Sequence, residues 1–583
     1  MLAQTKKSFR TAVLAGAVLS AAACTSSPEG DESSGGAGGS TSGSGGTSGA
    51  PHAGSGGTAP AQAGTAGSTA GTASGSSGSS SGAAGASGVG QGGTTGGSAG
   101  SGQAIGGGGA SAGTATGGGG SGNAGGSDPT AGSSPGGTGN TTDPTVRLDQ
   151  TKQTIDGFGI NDTWRALSDA QAKALFDPNE GLGLTILRVG MSPNGGFYNN
   201  NEASSIAAAK KYGATTIIGS VWSPPKECKD NTNTQRGGHL IPGDCYESWS
   251  DAIAEFADTN DLYAMSAGNE PDFASCATTI GPPCTVDYDT TLYTAKEMVA
   301  FVKVLGPKLK AAGVKLISPE ASEWIHNWSN TSATGSTVAA HPNSSDPLKC
   351  GCFGTSTDCA ATCEEGNGYD YGHWLYKDSV AWAAVDIMGV HQYDTQVAEP
   401  WPADVPDRKP VWQTEMSGVK YWPEGEPSKD INNGIAVAGW LHNALTVGEA
   451  NAWLWWWYQG QDTNEGLFLA DGSDTKRHYT FGNYTKFIRP GYVRVDVTGN
   501  LPADVSISAY KGSDGTVVVV AINAGAATAV VPLAISGGTA PASMTPHVTS
   551  AEYDLEAVAA VQVTGGILMA SLPSKTVTTF VGK

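Results

Sequence analysis

Two glutamates stand where apolar runs end. One is Glu270 in Ser266-Ala267-Gly268-Asn269-Glu270-Pro271, and the other is Glu415 in Val411-Trp412-Gln413-Thr414-Glu415. Two carboxyls held about 5 Å apart can break a glycosidic bond through a covalent intermediate. One must stay protonated to donate to the leaving oxygen, and the other must be ionised to attack the anomeric carbon. Their mutual repulsion raises the proton affinity of the donor, the tuning this chemistry needs. We read Glu270 as the acid/base and Glu415 as the nucleophile. A glutamate taken alone is more often a solvated surface group; what singles these out is position at the end of an apolar strand. Glu320 and Glu323 compete by the same logic, but neither has an asparagine beside it, so they rank below.

Other residues near those ends could hold a sugar. Asn269 offers an amide to a ring hydroxyl, a bond that can tighten in the transition state. Trp453, Trp455 and Trp457 alternate along one run, so all three are expected to face a common interior. They would serve there as a floor for a sugar ring or as core filling. Trp222 has the same two readings. Arg188 lies in an otherwise apolar run and would be costly to bury alone; it is expected to pair with a carboxylate, Glu415 being the candidate. His391 and Tyr393 end another run, within reach of the nucleophile or the sugar, although a lone histidine is more often structural.

Elements with a regular order must position these groups. Apolar, strand-like runs fall at 155–160, 184–189, 215–221, 262–266, 314–318, 385–393, 410–415 and 452–458. Helical patterns separate them: Met298, Phe301, Val302 and Leu305 lie at i, i+3, i+4 and i+7, and Trp249, Ile253 and Phe256 repeat the theme. Eight β-then-α units argue for an α/β fold, a (β/α)8 barrel with insertions, whose chemistry sits at the C-terminal ends of the strands. Glu270 then lies just past the fourth strand and Glu415 at the end of the seventh. From Gly491 the pattern becomes all-β, with Val505, Ile507 and Ala509 alternating and a β-branched run over 516–522. Val146-Arg147-Leu148 alternates too. The expected organisation is a barrel over 155–490 and a side β-sandwich domain over 491–583, whose first strand comes from 144–154.

Composition narrows the setting. The chain has 583 residues, 86 of them glycine and concentrated near the N-terminus, with a formal net charge of −21. A polyanion gains nothing from counterion release, which argues against a nucleic-acid partner. Fifteen tryptophans beside 15% charged residues suit surfaces that stack on sugars. Residues 1–24 read as a secretory signal: Lys6, Lys7 and Arg10, then an apolar run too short to span a membrane, then Cys24. Ala21-Ala22-Ala23 before Cys24 resembles a lipoprotein box, although such boxes usually carry leucine where Ala21 stands. We expect a lipid anchor on Cys24 at the cell surface or outer membrane, with simple secretion as the alternative. Residues 25–143 are nearly all Gly, Ser, Thr and Ala, and cannot bury enough apolar surface to offset their ordering entropy. A disordered tether spanning on the order of 60 Å is the expectation. Eight further cysteines in an exported chain read as disulfides. Short loops suggest Cys228–Cys245 and Cys276–Cys284, with two bridges among Cys350, Cys352, Cys359 and Cys363; a metal site in that last group is the alternative. A monomer is expected.

Several ordered motifs resemble glycoside hydrolase family 30, nearest to its bacterial glucuronoxylanase branch. They are Ile155-Asp156-Gly157-Phe158-Gly159, Trp222-Ser223-Pro224-Pro225, Asn269-Glu270-Pro271-Asp272, His391-Gln392-Tyr393-Asp394-Thr395 and Phe487-Ile488-Arg489-Pro490-Gly491-Tyr492-Val493-Arg494. The likeness runs from 146 to 583. It implies a retaining mechanism on these two glutamates, a barrel fused to a β-domain built from both chain ends, and no metal or cofactor. Glucuronoxylanases hold the glucuronic acid branch with an arginine just after the eighth strand and a tyrosine just after the nucleophile. Here Tyr458-Gln459-Gly460-Gln461-Asp462 has no basic residue, and Met416-Ser417-Gly418 has no tyrosine. Without that guanidinium fork, bidentate capture of a carboxylate at that position is lost. The expected activity is endo-hydrolysis of β-1,4-xylan without a requirement for glucuronate branches. β-1,6-Glucan and β-1,6-galactan are the alternatives inside the family, and a carbohydrate-binding protein without catalysis is the alternative outside it.

Overall fold

The computed structural model describes residues 143–235, 237–273, 288–328, 370–393, 397, 401–418, 430–459 and 466–583. Cys24, the Gly-rich stretch up to 142 and the six cysteines from Cys276 to Cys363 lie outside them. Strand β1 (Thr145–Thr154) leads into a ring of eight parallel strands. These are β2 (Gly157–Asn161), β3 (Ile186–Met191), β4 (Thr216–Val221), β5 (Ala264–Ser266), β6 (Lys315–Ala321), β7 (Ile387–His391), β8 (Val411–Glu415) and β9 (Ala452–Gln459). β9 pairs with both β2 and β8 and so closes the barrel, while β10 (Gly466–Phe468) adds one more parallel strand beside β9. Every residue of β2, β3, β7 and β8 is buried. Strands covered on both faces read as continuous apolar runs, and these do.

Helices α1 (Asp169–Phe176), α2 (Glu202–Tyr212), α3 (Asp244–Thr259), α4 (Ala295–Ala311), α5 (Tyr371–Lys377), α6 (Ser379–Ala384), α7 (Ile431–Thr446) and α8 (Lys476–Thr485) accompany the strands. Capping boxes, Ser168 with Gln171 and Thr294 with Glu297, begin α1 and α4 by satisfying their first free N–H groups. Met298, Phe301, Val302 and Leu305 bury one stripe of α4, as their spacing predicts, and Trp249, Ile253 and Phe256 bury one stripe of α3. Cys228 and Cys245 form the disulfide that their spacing suggested, tying the loop after β4 to the first turn of α3.

Two apolar layers flank the barrel wall. The inner one takes Ile186, Ile218, Ala264, Ile317, Ile387, Trp412, Ala452 and Leu454 from β3 through β9. Trp412 closes its floor, stacked on Tyr263 and donating from Nε1 to Asp156 Oδ2 at 2.8 Å. The outer layer, between strands and helices, holds Trp453 and Trp455. This corrects the expectation that Trp453, Trp455 and Trp457 share the interior. The narrow lumen takes the smaller Ala452 and Leu454, so the alternate tryptophans turn outward, where Trp453 packs edge-on against Phe481 of α8 at 5.4 Å. Beyond Trp455 the pairing with β2 skips one residue, Ile160 facing Trp455 and Asn161 facing Trp457. That bulge turns Trp457 to the inner face beside Trp456, because an extra residue reverses the alternation.

The remaining strands, β11 (Val493–Thr498), β12 (Val505–Lys511), β13 (Val517–Asn523), β14 (Ala529–Ser536), β15 (Ser543–Thr549), β16 (Asp554–Ala557), β17 (Val561–Thr564), β18 (Ile567–Leu572) and β19 (Thr576–Gly582), form a second sheet. β1 lies inside it, antiparallel to β11 and parallel to β14. Val146 and Leu148 enter its core beside Val519, Leu533 and Phe580. Asn483 of α8 ties barrel to side domain, donating to the His547 carbonyl and the Thr579 hydroxyl and accepting from Thr549.

Candidate active site

The site lies at the C-terminal ends of the barrel strands. Arg188, two residues past the floor residue Ile186 on β3, is fully buried and points along the lumen. Its Nη1 donates to Glu415 Oε2 at 2.8 Å, and its Nη2 donates to Asn269 Oδ1 at 2.6 Å and Glu320 Oε2 at 3.1 Å. Ser220 of β4 donates to the same Glu320 oxygen at 2.6 Å. Glu320 is thus a buried counter-ion; Arg188's charge and these bonds hold its carboxyl below the usual range despite burial. The hydroxyl of Tyr393, two residues past β7, donates to Glu415 Oε1 at 3.0 Å, so both oxygens of Glu415 are engaged.

Glu270 meets different neighbours. Its backbone is left-handed (φ +45°), as is that of Glu320 (φ +61°), and its N–H donates to the Glu320 carbonyl at 3.0 Å. Such conformations cost a side chain of order 1 kcal/mol or more and persist where the surroundings hold them. His391 Nδ1 lies 3.0 Å from Glu270 Oε1, and its Nε2 lies 3.8 Å from Glu415 Oε2. Burial lowers the proton affinity of His391, which keeps the ring neutral near pH 7. Asp272, two residues past Glu270, is fixed by the Ser322 N–H and hydroxyl and by His326 Nδ1 at 2.5 Å.

The two carboxyls consequently have unlike surroundings. Burial first, and then the negative charge of Asp272, push Glu270 up to about 8, which keeps it protonated at neutral pH. Burial also raises Glu415, and the nearby Arg188 guanidinium offsets part of that push; the guanidinium and the phenol each donate to one of its oxygens. One oxygen of Glu270, one oxygen of Glu415 and a ring nitrogen of His391 all lie within 4.8 Å of one another. Three such atoms could face a metal ion. With both Glu415 oxygens already bonded, one of them by a cation, the trio is better suited to moving a proton.

An aromatic rim surrounds this centre. Trp222, just past β4, lies under the Arg188 guanidinium at 5.0 Å. It packs against Trp164 at 5.3 Å, Tyr198 at 5.9 Å and Trp456 at 6.1 Å. Trp457 joins through Trp456 at 5.8 Å and Trp164 at 6.5 Å. Of the residues singled out from sequence, the structure brings together Glu270, Glu415, Asn269, Arg188, His391, Tyr393, Trp222 and Trp457. It leaves Trp455 outside the wall. Sequence reasoning missed Trp164, Tyr198, Trp456 and Tyr288, whose buried phenol is raised further by the charges of Glu270 and Glu415. Trp164 was findable, since it follows the first barrel strand by three residues, much as Trp222 directly follows the third.

Residues 491–580 match the family described as the glycosyl hydrolase family 30 beta sandwich domain. Glucuronoxylanase XynC of Bacillus subtilis (strain 168) is 28% identical over 459 residues, covering 76% of this chain and 92% of that protein. Among solved structures, the family 30 subfamily 8 xylanase Xyn30A from Clostridium acetobutylicum is 27% identical with a TM-score of 0.60, covering 76% of this chain and 99% of that one. A family 30 endoxylanase from Clostridium papyrosolvens is 25% identical with a TM-score of 0.58, covering 76% and 100%.

Proposed function

Because this chain belongs to glycoside hydrolase family 30, near its xylanase branch, we propose that it is a retaining endo-hydrolase of a β-linked polysaccharide, with β-1,4-xylan as substrate. Glu270 donates its proton to the glycosidic oxygen as the carboxylate of Glu415 attacks the anomeric carbon. The bond to the leaving sugar breaks and a glycosyl ester on Glu415 forms. Glu270, now ionised, takes a proton from water, whose oxygen attacks the same carbon and frees Glu415. Arg188 and Tyr393 orient the nucleophile, and Asn269, itself held by Arg188, presents its amide to the sugar. The observation that carries this reading is the spacing of two carboxyls in unlike environments. Atoms within 4.8 Å suit direct attack at about 5–5.5 Å, whereas an inverting pair stands roughly 6.5–9.5 Å apart to admit water.

The test is the product. Proton magnetic resonance during the first minutes of xylan cleavage is expected to show the β-anomer first, and the α-anomer would overturn the retaining assignment. Reducing ends released from unbranched xylan, β-1,6-glucan and β-1,6-galactan identify the linkage, with xylan expected to lead. Binding to these polymers with no new reducing ends would establish a carbohydrate-binding protein instead. We also place the enzyme outside the cytoplasm as a monomer tethered through Cys24. The N-terminal signal pattern and the Cys228–Cys245 bridge support this, because such bonds persist in oxidising compartments. Metabolic labelling with a palmitate analogue is expected to mark the wild-type chain and not Cys24→Ser.

A further inference from the structure

Asp162 and Glu202 form a buried pair that the catalytic steps do not use. Asp162 directly follows β2, Glu202 opens α2, and both are fully buried. Their carboxyls lie within hydrogen-bonding reach of each other, with the Ser205 hydroxyl beside Asp162. No other described residue bonds either oxygen of Asp162 or Oε1 of Glu202, and among the described residues no cation answers them. Facing them are Tyr458 of β9, whose buried phenol stays neutral, and Arg165 of the same loop. That guanidinium is engaged elsewhere, over the Trp457 ring at 4.5 Å and on the Gln459 carbonyl at 2.9 Å. Two adjoining carboxylates cannot both stay ionised out of water. Burial first, and then the charge of Asp162, raise Glu202, which therefore keeps its proton. Burial raises Asp162 too, but the bonds from Glu202 and Ser205 hold it down, which makes it the acceptor. An acid donating to a carboxylate is among the shorter and stronger hydrogen bonds.

What this bond holds is the first β-to-α loop. The Leu167 N–H donates to the same Ser205 hydroxyl at 2.7 Å, and the Tyr458 hydroxyl donates to the Ala166 carbonyl at 2.9 Å. Between these fastenings the backbone of Trp164 is left-handed (φ +68°). A bulky side chain stays in that conformation only where its surroundings hold it. Trp164 is also the ring on which the rim converges, meeting Trp222, Tyr198, Trp456 and Trp457 at 5.3–6.5 Å. The Asp162 N–H meanwhile donates to the Arg188 carbonyl at 3.2 Å, on the strand that carries the cation of the nucleophile. Apolar side chains could fill the same space, but a bonded acid pair adds a fixed direction. We infer that Asp162 and Glu202 are positioning residues: one shared proton fastens this loop to α2 and sets Trp164 against the sugar. The role in sugar binding rests on the polysaccharide-hydrolase reading above.

Denaturant unfolding tests the proton without a substrate. Near neutral pH Glu202 is protonated in the folded chain and ionised in the unfolded one, so this group makes stability fall as pH rises. Glu202→Gln donates to Asp162 through an amide with no proton to lose. It should flatten the fall in stability between about pH 6 and about pH 9 by about one proton, and an unchanged slope overturns the shared proton. Kinetics on xylan near neutral pH test the position with two double variants that leave no buried charge. Asp162→Asn with Glu202→Gln keeps one amide-to-amide bond and should hold KM near the wild-type value. Asp162→Asn with Glu202→Leu breaks the bond and should raise KM several-fold while kcat changes less. Adding Trp164→Ala to the second pair should raise KM no further than Trp164→Ala does alone, because the acids act through that ring. Equal KM in the two double variants, or effects that add to that of Trp164→Ala, overturn the positioning role. If no polysaccharide is cleaved, the hydrolase reading fails on that result alone. Near-ultraviolet circular dichroism of the rim tryptophans then compares the same variants. A signal kept with Glu202→Gln and weakened with Glu202→Leu upholds the fastening of Trp164, and equal signals refute it.

Discussion

The two sides of the catalytic pocket are built on opposite principles. On the Glu415 side, β3, β6 and β8 bring one arginine between two carboxylates, with hydrogen bonds to every charged oxygen that faces it. On the Glu270 side no guanidinium reaches the carboxyl; a neutral imidazole and the fixed anion of Asp272 stand near it instead. Both glutamates are equally buried. Burial alone would make them equivalent acids, so their chemical difference comes from which neighbour carries charge. The lesson is that Arg188 sets the two carboxyls apart by bonding only one of them.

Removing either carboxyl tests the comparison most severely. Glu415→Ala and Glu270→Gln should each lower kcat on xylan by several orders of magnitude. On an aryl xyloside whose leaving group needs no proton, Glu270→Gln should recover much of the first step and Glu415→Ala none. Equal recovery would mean the roles are misassigned. Arg188→Met comes next, leaving Glu415 and Glu320 buried without their cation. Breaking such a network costs about 3–5 kcal/mol, readable in denaturant unfolding. In what folds, Glu415 binds its proton more tightly, so the acid limb of kcat/KM should move to higher pH. Unchanged stability and an unmoved limb would dissolve the contrast between the two sides.

Asp272→Asn should do the opposite, more gently. Without that anion Glu270 ionises more easily, its proton affinity falls, and the alkaline limb set near 8 moves to lower pH. Activity at the optimum should drop only a few-fold, and a limb that moved upward would refute the sign. The rim gives the smallest effect on rate. Trp164→Ala should raise KM several-fold while kcat changes less, by losing one stacking face. Trp455→Ala, across the wall, should leave KM alone and cost about 3–5 kcal/mol of stability.

Much of this was legible in the chain. Eight apolar runs divided by helical patterns predict the barrel, and the ends of those runs predict Glu270, Glu415, His391, Tyr393 and Trp222. Arg188 was legible because a charge in an apolar strand needs a partner. The parity of β9 was not. Alternation shows that Trp453 and Trp455 share a face, but which face depends on the width of the lumen and on a floor already filled by Trp412. The bulge that turns Trp457 inward depends on pairing with β2, nearly 300 residues earlier.

The place of β1 has a bearing on how the protein comes to exist. It is an interior strand of the side sheet, yet its partners β11 and β14 lie beyond residue 490. A chain emerging N-terminus first exposes β1 with nothing to pair against until nearly all of the barrel has followed. Pairings so distant in sequence form late, because a long loop must close before they stabilise anything. The side sheet is therefore the last part to assemble. Truncating the chain before β14 would leave β1 unpaired on one flank, an open edge offered to other chains.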